Sequence, residues 1–319
     1  MHNRASDPHN LQLVQIHCSD LPATVDFYEQ LGFALERIRP ADAPHYAALT
    51  GDGIRLELHC PFQPAALSDR FSPGPHLSRS SDDSPWVLGR AGMHYRDLLP
   101  GRFGGQIIAS HIRIAEGGPV PDYVHYHHVG FQLIYCHRGW VKVLYEDQGE
   151  AFVLQPGDAV LQPPTIRHRV LEASDGLEVI ELSSPAEHDT WREHRLSLPN
   201  AQGNGERLYG GQRFVRFQGG ATPWQDGPEG TRWQNLGMQA ASAGAGDVQR
   251  AQLPEGSRWQ TQTDSNDVVF MFVLNGNAVL DNHGPHALAS SDSALISPMQ
   301  SAAVQAESAC ELLLVRLAV

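Results

Sequence analysis

Short apolar runs separated by glycine and proline turns dominate the chain and predict mainly β structure. One stretch instead has the apolar period of an amphipathic helix, Ala23–Leu31, preceded by the capping residues Ser19 and Asp20 and followed by Gly32. Strands are predicted on both sides of this helix, at Leu11–His17, Tyr46–Thr50 and Ile54–His59. Residues 1–62 are therefore predicted to form a small α+β module.

The segment 63–90 breaks this pattern. It is rich in Pro, Ser and Asp and has no apolar period, which predicts a linker or a long surface loop. From residue 91 the short strands return at a regular spacing that is typical of a jelly roll or a related sandwich. The predicted strands are Gln106–Ile114, Phe131–Cys136, Trp140–Tyr145, Ala159–Gln162 and Leu177–Leu182.

The same rhythm occurs a second time in the C-terminal part of the chain. Gly276 falls on Gly139 and Pro298 falls on Pro163 at nearly the same offset, which predicts an internal duplication. We therefore expect two barrels, over 91–200 and 201–319. The repeated strands are Phe270–Leu274, Ala278–Leu280, Ala294–Ser297 and Leu312–Leu317.

The order of residues in SDLPATVDFYEQLGF resembles the opening of vicinal-oxygen-chelate (glyoxalase-like) modules, which have a βαβββ fold. Active members of that superfamily pair two such modules around one metal, whereas this chain has one. Aligned on Asp20, the ligand position of the first strand falls on Leu13, although Glu57 matches the later carboxylate. The resemblance therefore implies a degenerate module used for packing or dimerisation rather than a second active site.

Composition and charge exclude several classes of protein. The formal net charge is −13 and no basic stripe is present, so a nucleic-acid partner is not expected. No apolar run reaches the length of a membrane span. The four cysteines are scattered singly and nothing at the N-terminus resembles a signal peptide, so we expect a protein of the reducing cytoplasm.

The strongest chemical signal is the segment HYHHVGFQLIYCHRG. It resembles the first cupin motif, with His125-x-His127, four residues, Gln132, six residues and Gly139. The second cupin motif is matched from Gly157 to Pro163, His168 and Glu172, with Thr165 in a glycine position. The resemblance covers about 105–185 and implies that the metal ligands are His125, His127, Gln132 and His168.

The spacing of these residues has an independent physical reason. Residues i and i+2 of a strand point to the same face, so His125 and His127 would both enter the barrel. Three imidazoles and an oxygen donor suit one divalent transition metal, with Fe(II) favoured and Mn, Ni, Co or Zn as alternatives. Most cupins have Glu where this chain has Gln132, so either the amide is a ligand, or His128 or water replaces it.

Other polar residues are candidates for a catalytic role. If the face that carries His111 and Arg113 is the barrel interior, Arg113 pairs with a substrate carboxylate; a surface ion pair is the alternative. Tyr123 is a further interior candidate, and Glu181 could act as a base. Two groups are expected outside the site: His137 and Arg138 at an exposed turn, and His188, Trp191 and His194 in a helix after the barrel.

The second barrel is expected to bind no metal. At the offset of the duplication, the four ligand positions are occupied by residues that form no metal set: Gln262, Asp264, Val269 and Ala303.

The fold class we expect is mainly β, with two cupin jelly-roll barrels preceded by a glyoxalase-like βαβββ module. The function we expect is that of a metal-dependent enzyme on a small oxygenated organic substrate, a dioxygenase in the favoured interpretation. A Lewis-acid isomerase, hydrolase or lyase and a non-catalytic binding protein are the alternatives. A homodimer is expected, because cupins often dimerise and a single glyoxalase-like module needs a partner.

Overall fold

A computed structural model of the protein describes residues 11–62, 73–82, 86–200 and 204–319. The N-terminal module has the predicted βαβββ order and the sheet order β1-β4-β3-β2. Asp20 caps the helix, because its Oδ1 accepts a hydrogen bond of 3.0 Å from the backbone N–H of Ala23. Its elements are β1 (Gln12–His17), α1 (Leu21–Gln30), β2 (Ala34–Arg39), β3 (Tyr46–Gly51) and β4 (Ile54–His59).

The first barrel is built from two facing sheets around an apolar interior that includes Cys136, Val143 and Val179. Its elements confirm the predicted strands to within two residues at each end. They are β7 (His94–Asp97), the helical turn α2 (Arg102–Gly105), β8 (Ile108–Ile114), β9 (Gly118–Pro119), β10 (His125–His127), β11 (Phe131–Arg138), β12 (Val141–Tyr145), β13 (Phe152–Leu154), β14 (Ala159–Leu161), β15 (His168–Ala173), β16 (Leu177–Ser184) and β17 (Thr190–Arg192).

The second barrel repeats this architecture. Gly139 and Gly276 occupy corresponding turns of the two barrels, with φ of 68° and 83°. A side chain at either position would collide with the residues that lead into a later strand, at Ser174 and Leu177 in the first barrel or at Ala309 and Cys310 in the second. The elements of this half are β18 (Leu208–Tyr209), β19 (Gln212–Arg213), β20 (Val215–Phe217), β21 (Gln225–Asp226), β22 (Arg232–Asn235), α3 (Met238–Ala241), β23 (Gly246–Leu253), β24 (Arg258–Gln262), β25 (Asp267–Asn275), β26 (Asn277–Asp281), β27 (Pro285–Ala289), β28 (Ser293–Ile296), β29 (Ser301–Ala306) and β30 (Cys310–Ala318).

The two barrels exchange strands. The segment before the first barrel supplies β5 (His76–Ser78), which pairs with β28 of the second barrel. The segment before the second barrel supplies β20, which pairs with β14 of the first. The predicted linker is therefore partly structured, since it also contains β6 (Val87–Leu88); its residues 63–72 and 83–85 lie outside the described part of the chain.

The N-terminal module is joined to the first barrel by one continuous sheet. Strand β17 lies between the two, pairing with β2 on one side and with β10 on the other. The prediction of a helix around His188, Trp191 and His194 is wrong for this reason: Thr190–Arg192 completes the sheet by non-local pairing that the local sequence does not encode. The strand that carries His125 and His127 is thus only one strand away from the glyoxalase-like module.

Within the described ranges, no helix is both long and apolar enough to cross a membrane. All four cysteines are free, but Cys18 and Cys60, at the ends of the adjacent strands β1 and β4, bring their Sγ atoms to 3.2 Å.

Candidate metal centre

Two strands of the first barrel bring three histidines together. His125 and His127 point inward from β10, and His168 begins β15 directly opposite His125. All three side chains are buried, and one ring nitrogen of each lies within 4.8 Å of the others. This is the only such group of possible ligands among the residues that the structure describes.

Nδ1 of each of the three histidine rings already has a hydrogen-bond partner. Nδ1 of His125 donates to the carbonyl of Tyr123 at 2.8 Å, and Nδ1 of His168 donates to the carbonyl of Ile166 at 3.0 Å. Nδ1 of His127 lies 2.8 Å from Oγ1 of Thr190. These contacts fix the ring orientations and leave the three Nε2 atoms as the donors that can face a metal.

Burial keeps the three imidazoles neutral. It lowers the pKa of His125 and His127 well below the ordinary value, and it lowers the pKa of His168 to about 4. A neutral imidazole is the form that binds a metal, so the three rings carry their lone pairs ready for coordination near neutral pH.

Gln132 and Glu181 lie side by side in the same cavity. The Nε2 amide of Gln132 donates to Oε1 of Glu181 at 2.6 Å, so the amide oxygen is the atom of Gln132 left for a metal. Burial raises the pKa of Glu181, although the hydrogen bond from Gln132 opposes the shift. The predicted base therefore touches the predicted fourth ligand.

Thr165 stands where the second cupin motif has glycine, and it adopts the backbone conformation that favours glycine. Its φ is 65°, and its N–H donates to the carbonyl of His127 at 2.9 Å. The turn that positions His168 is thus retained despite the substitution.

The cavity around the triad is small, at about 80 Å³, and mostly apolar. Ile112, Val143 and Val179 line it from three strands of the barrel. Ala41 of the N-terminal module also contributes to the wall. Tyr145 stacks on His168 with ring centroids 5.4 Å apart, and its hydroxyl donates to Oε1 of Gln162.

Arg90 is a site residue that the sequence did not reveal, because it precedes the first barrel and belongs to no motif. Its NH2 group lies 2.9 Å from Nε2 of His125, and its NH1 group forms an ion pair with Asp122. Burial opposes the charged guanidinium, but Asp122 outweighs burial and raises the pKa of Arg90. Asp122 also accepts from the backbone N–H groups of Tyr123 and Val170 at 2.8 and 2.9 Å.

The other predicted site residues lie elsewhere. Arg113 is exposed and lies on the opposite face of β8 from Ile112, so the condition that would have given it a catalytic role is not met. Tyr123 lines a neighbouring pocket, with its ring 5.9 Å from that of His125. His128 is exposed and packs 5.7 Å from Trp191, so it does not replace Gln132.

Two further histidines correct the sequence analysis. His137, expected at an exposed turn, lies within β11 between the barrels, with its ring 5.5 Å from that of Phe272. His188, expected in a helix, is buried with its ring 5.5 Å from that of His127, and its Nδ1 donates to the carbonyl of Pro185 at 2.8 Å.

The second barrel has no counterpart of the triad among its described residues. Ala303 lies opposite Gln260, as His168 lies opposite His125, so Gln260 and Gln262 correspond to the two histidines of β10. The sequence analysis aligned His125 and His127 with Gln262 and Asp264. The strand pairing shifts this alignment by two residues, to Gln260 and Gln262.

The donor set fits a divalent transition metal. It offers three neutral imidazole nitrogens with their outer nitrogens held, and an amide oxygen in the same cavity, which leaves coordination positions for water or substrate. One contact competes with coordination: the N–H of Arg90 uses the lone pair of His125 Nε2 that a metal would take.

Two family models match the chain between residues 10 and 183. Residues 110–183 match the cupin domain, and residues 10–138 match the glyoxalase/bleomycin resistance protein/dioxygenase superfamily. The two matches overlap over 110–138. A search of curated proteins finds no match.

Solved structures with a similar fold are cupin proteins. The salicylate 1,2-dioxygenase from Pseudaminobacter salicylatoxidans superposes with a TM-score of 0.56 at 15% identity, over 80% of this chain and 86% of that one. Protein YlbA from E. coli gives a TM-score of 0.54 at 10% identity, over 77% and 90%. A point mutant of the Bacillus subtilis oxalate decarboxylase OxdC gives 0.53 at 11% identity, over 76% and 76%. The predicted fold class and the resemblance to cupins and glyoxalase-like proteins are confirmed.

Proposed function

We propose that this cupin protein is a metal-dependent enzyme of the first barrel, which binds one divalent transition metal through His125, His127, His168 and the amide oxygen of Gln132. The observation that carries the proposal is the convergence of three buried imidazole nitrogens within 4.8 Å. Four protein ligands would close a tetrahedral site, but they leave positions open inside the cavity around a metal that prefers six ligands, such as Fe(II) or Mn(II), which favours catalysis.

The reaction we favour is that of a dioxygenase on a small oxygenated molecule, in which both atoms of O₂ enter the product as a C–C bond breaks. A bound Fe(II) would supply the chemistry by holding the substrate and O₂ together. The apolar walls at Ile112, Val143 and Val179 would exclude water from the reacting groups. The salicylate 1,2-dioxygenase among the similar folds supports aromatic compounds as first candidates.

A second candidate is Lewis-acid chemistry. The observation that favours it is the buried carboxyl group of Glu181 in the same cavity. A buried carboxyl with a raised pKa is suited to move a proton to or from a carbon next to a polarised carbonyl. An isomerase, hydrolase or lyase acting on a sugar acid or carbonyl compound would use it in this way.

Oxygen consumption separates the two candidates. Protein loaded anaerobically with Fe(II) is mixed with a panel of hydroxylated aromatic acids and diketones in an oxygen electrode. The dioxygenase predicts uptake that is lost in His168→Ala and retained in Glu181→Gln at reduced rate. Turnover without oxygen, abolished by Glu181→Gln while the metal is retained, would instead support Lewis-acid chemistry. Tight substrate binding without turnover under either condition would leave a binding protein.

We further propose that the protein is a cytoplasmic homodimer. Three exposed apolar side chains on the N-terminal module support the dimer, since Leu13, Phe27 and Leu31 are each more than half exposed, at 53%, 55% and 58%. A monomeric mass in light scattering at micromolar concentration would contradict the dimer.

A further inference from the structure

A second cavity lies between the N-terminal module and the first barrel. Its volume is about 560 Å³, within the range of sites that bind small organic molecules, whereas the metal cavity next to it measures about 80 Å³. The module lines it with Leu21 and Val25 of α1 and with Leu35 and Ile38 of β2. The wall that the N-terminal module contributes is therefore largely apolar, and a cupin barrel without this module would lack that wall.

Arg90 connects the two cavities, because it lines both. On the side of the larger cavity it lies over the ring of Tyr123, with its guanidinium carbon 5.6 Å from the ring centroid. Arg192 lies over the same ring at 4.6 Å and is neutralised by Glu29 at 2.8 Å. Arg90 is also paired, through NH1 with Asp122, but its Nε takes no part in that ion pair and it lies at the inner end of the pocket.

The hydrogen bonds of Arg90 are incomplete. NH1 is used by Asp122 and NH2 by His125, but in the described part of the chain Nε is buried without a hydrogen-bond partner. A buried N–H without an acceptor is costly, so an acceptor oxygen of a ligand placed at Nε would be stabilised. Nε and NH2 form one edge of the guanidinium, which matches the two oxygens of a carboxylate.

We propose that this interdomain pocket binds the apolar body of an organic carboxylate and that Arg90 pairs with the carboxylate group. The inference rests on the proposed function, since it places the substrate of the metal site between the two domains. It gives the glyoxalase-like module a role as one wall of the substrate site.

Metal binding and carboxylate binding are coupled through one lone pair. A metal at Nε2 of His125 displaces the Arg90 NH2 group from that lone pair, so the Nε–NH2 edge loses its acceptor at His125 and needs another one, which a carboxylate would supply. Each ligand therefore favours the other, by the same factor in both directions.

Isothermal titration calorimetry with three probes tests the proposal on metal-free and Zn-loaded protein. Benzoate has a carboxylate and an apolar body, benzamide lacks the charge and acetate lacks the body. We expect benzoate to bind at least about tenfold more tightly than either, and more tightly to the Zn-loaded protein. Arg90→Gln is expected to weaken benzoate by roughly ten- to a hundredfold. In this variant Asp122 keeps its two backbone N–H donors.

Leu88→Glu is a second variant, at a residue that lines the pocket. Leu88 is 60% exposed, so the substitution does not disrupt the folded core. It is expected to weaken benzoate while the zinc content stays that of the wild type. Equal affinities for benzoate and acetate, or benzoate binding unchanged in both variants, would overturn the pocket while leaving the metal enzyme intact. Failure to bind zinc would instead overturn the proposed function, and the metal-free titration would still report on the pocket.

Discussion

Nδ1 of His127 lies 2.8 Å from Oγ1 of Thr190, and Thr190 pairs in turn with Ile38 of the glyoxalase-like module. One proposed metal ligand is therefore held by a hydroxyl on the strand that joins the two domains. In the tautomer that coordinates through Nε2, the Nδ1–H of His127 donates to Thr190. The N-terminal module thus supports the metal centre through β17 as well as through the cavity wall.

Thr190→Val is expected to weaken metal affinity by about ten- to a hundredfold, because the buried imidazole loses the acceptor that orients it. Thr190→Ser keeps the hydroxyl and should retain affinity close to that of the wild type. Competition with a fluorescent zinc chelator measures both. Equal affinities of the valine and serine variants would show that the hydroxyl does not orient His127.

Thr165→Gly is expected to stabilise the metal-free protein by about 1 kcal/mol in urea unfolding. A β-branched residue at a φ of 65° is strained, and glycine removes the strain at the cost of a more flexible unfolded chain. Thr165→Ala is the control, since alanine keeps a Cβ in the same conformation. A gain in the alanine variant as large as in the glycine variant would contradict the backbone explanation.

His137→Gln should make the protein less sensitive to acid. Burial lowers the pKa of His137 from 6.5 to about 4; His111 and Arg138, which face it, act in the same direction, and Glu178 alone among these groups opposes the shift. The unfolded chain therefore binds the extra proton first, so stability falls as the pH drops from about 6.5 to 4.

The variant should reduce the slope of unfolding free energy against pH by up to about 1.4 kcal/mol per pH unit in that window. Glu178 contributes to the pH dependence of stability at lower pH. The hydrogen bond from His111 lowers the pKa of Glu178 from 4.5 to about 2, so the stabilisation by the ionised carboxylate is lost only as the pH falls towards 2. Urea titrations of metal-free protein at several pH values measure the slope, and a slope unchanged by the substitution would contradict the buried neutral imidazole.

Much of the fold was accessible from local pattern. The helix α1, its Asp20 cap and the strand Ile54–His59 follow from apolar period and turn residues. The motif spacing placed His125 and His127 on one face of a strand, because side chains alternate along a strand, and it placed His168 on a neighbouring strand.

The features that the sequence analysis predicted wrongly or missed share a physical cause. Each of them is determined by contacts between residues that are distant in sequence. Strand β17 forms because β2 and β10 offer edges on both sides, which no local signal around Trp191 contains. Alternation along β8 places Ile112 and Arg113 on opposite faces, but it does not say which of the two faces is the barrel interior. In the structure the interior face is that of Ile112. Arg90 reaches His125 from a short 3-10 turn, Arg90–Gly92, that belongs to no sequence motif.

Metal content tests the central claim most directly. Protein purified without chelators, and reconstituted anaerobically with Fe(II), is analysed by inductively coupled plasma mass spectrometry alongside His168→Ala and Gln262→Ala. The account predicts about one divalent ion per chain in the wild type and in Gln262→Ala, and its loss in His168→Ala. No metal in the wild type, or equal content in all three proteins, would contradict a metal centre at these histidines.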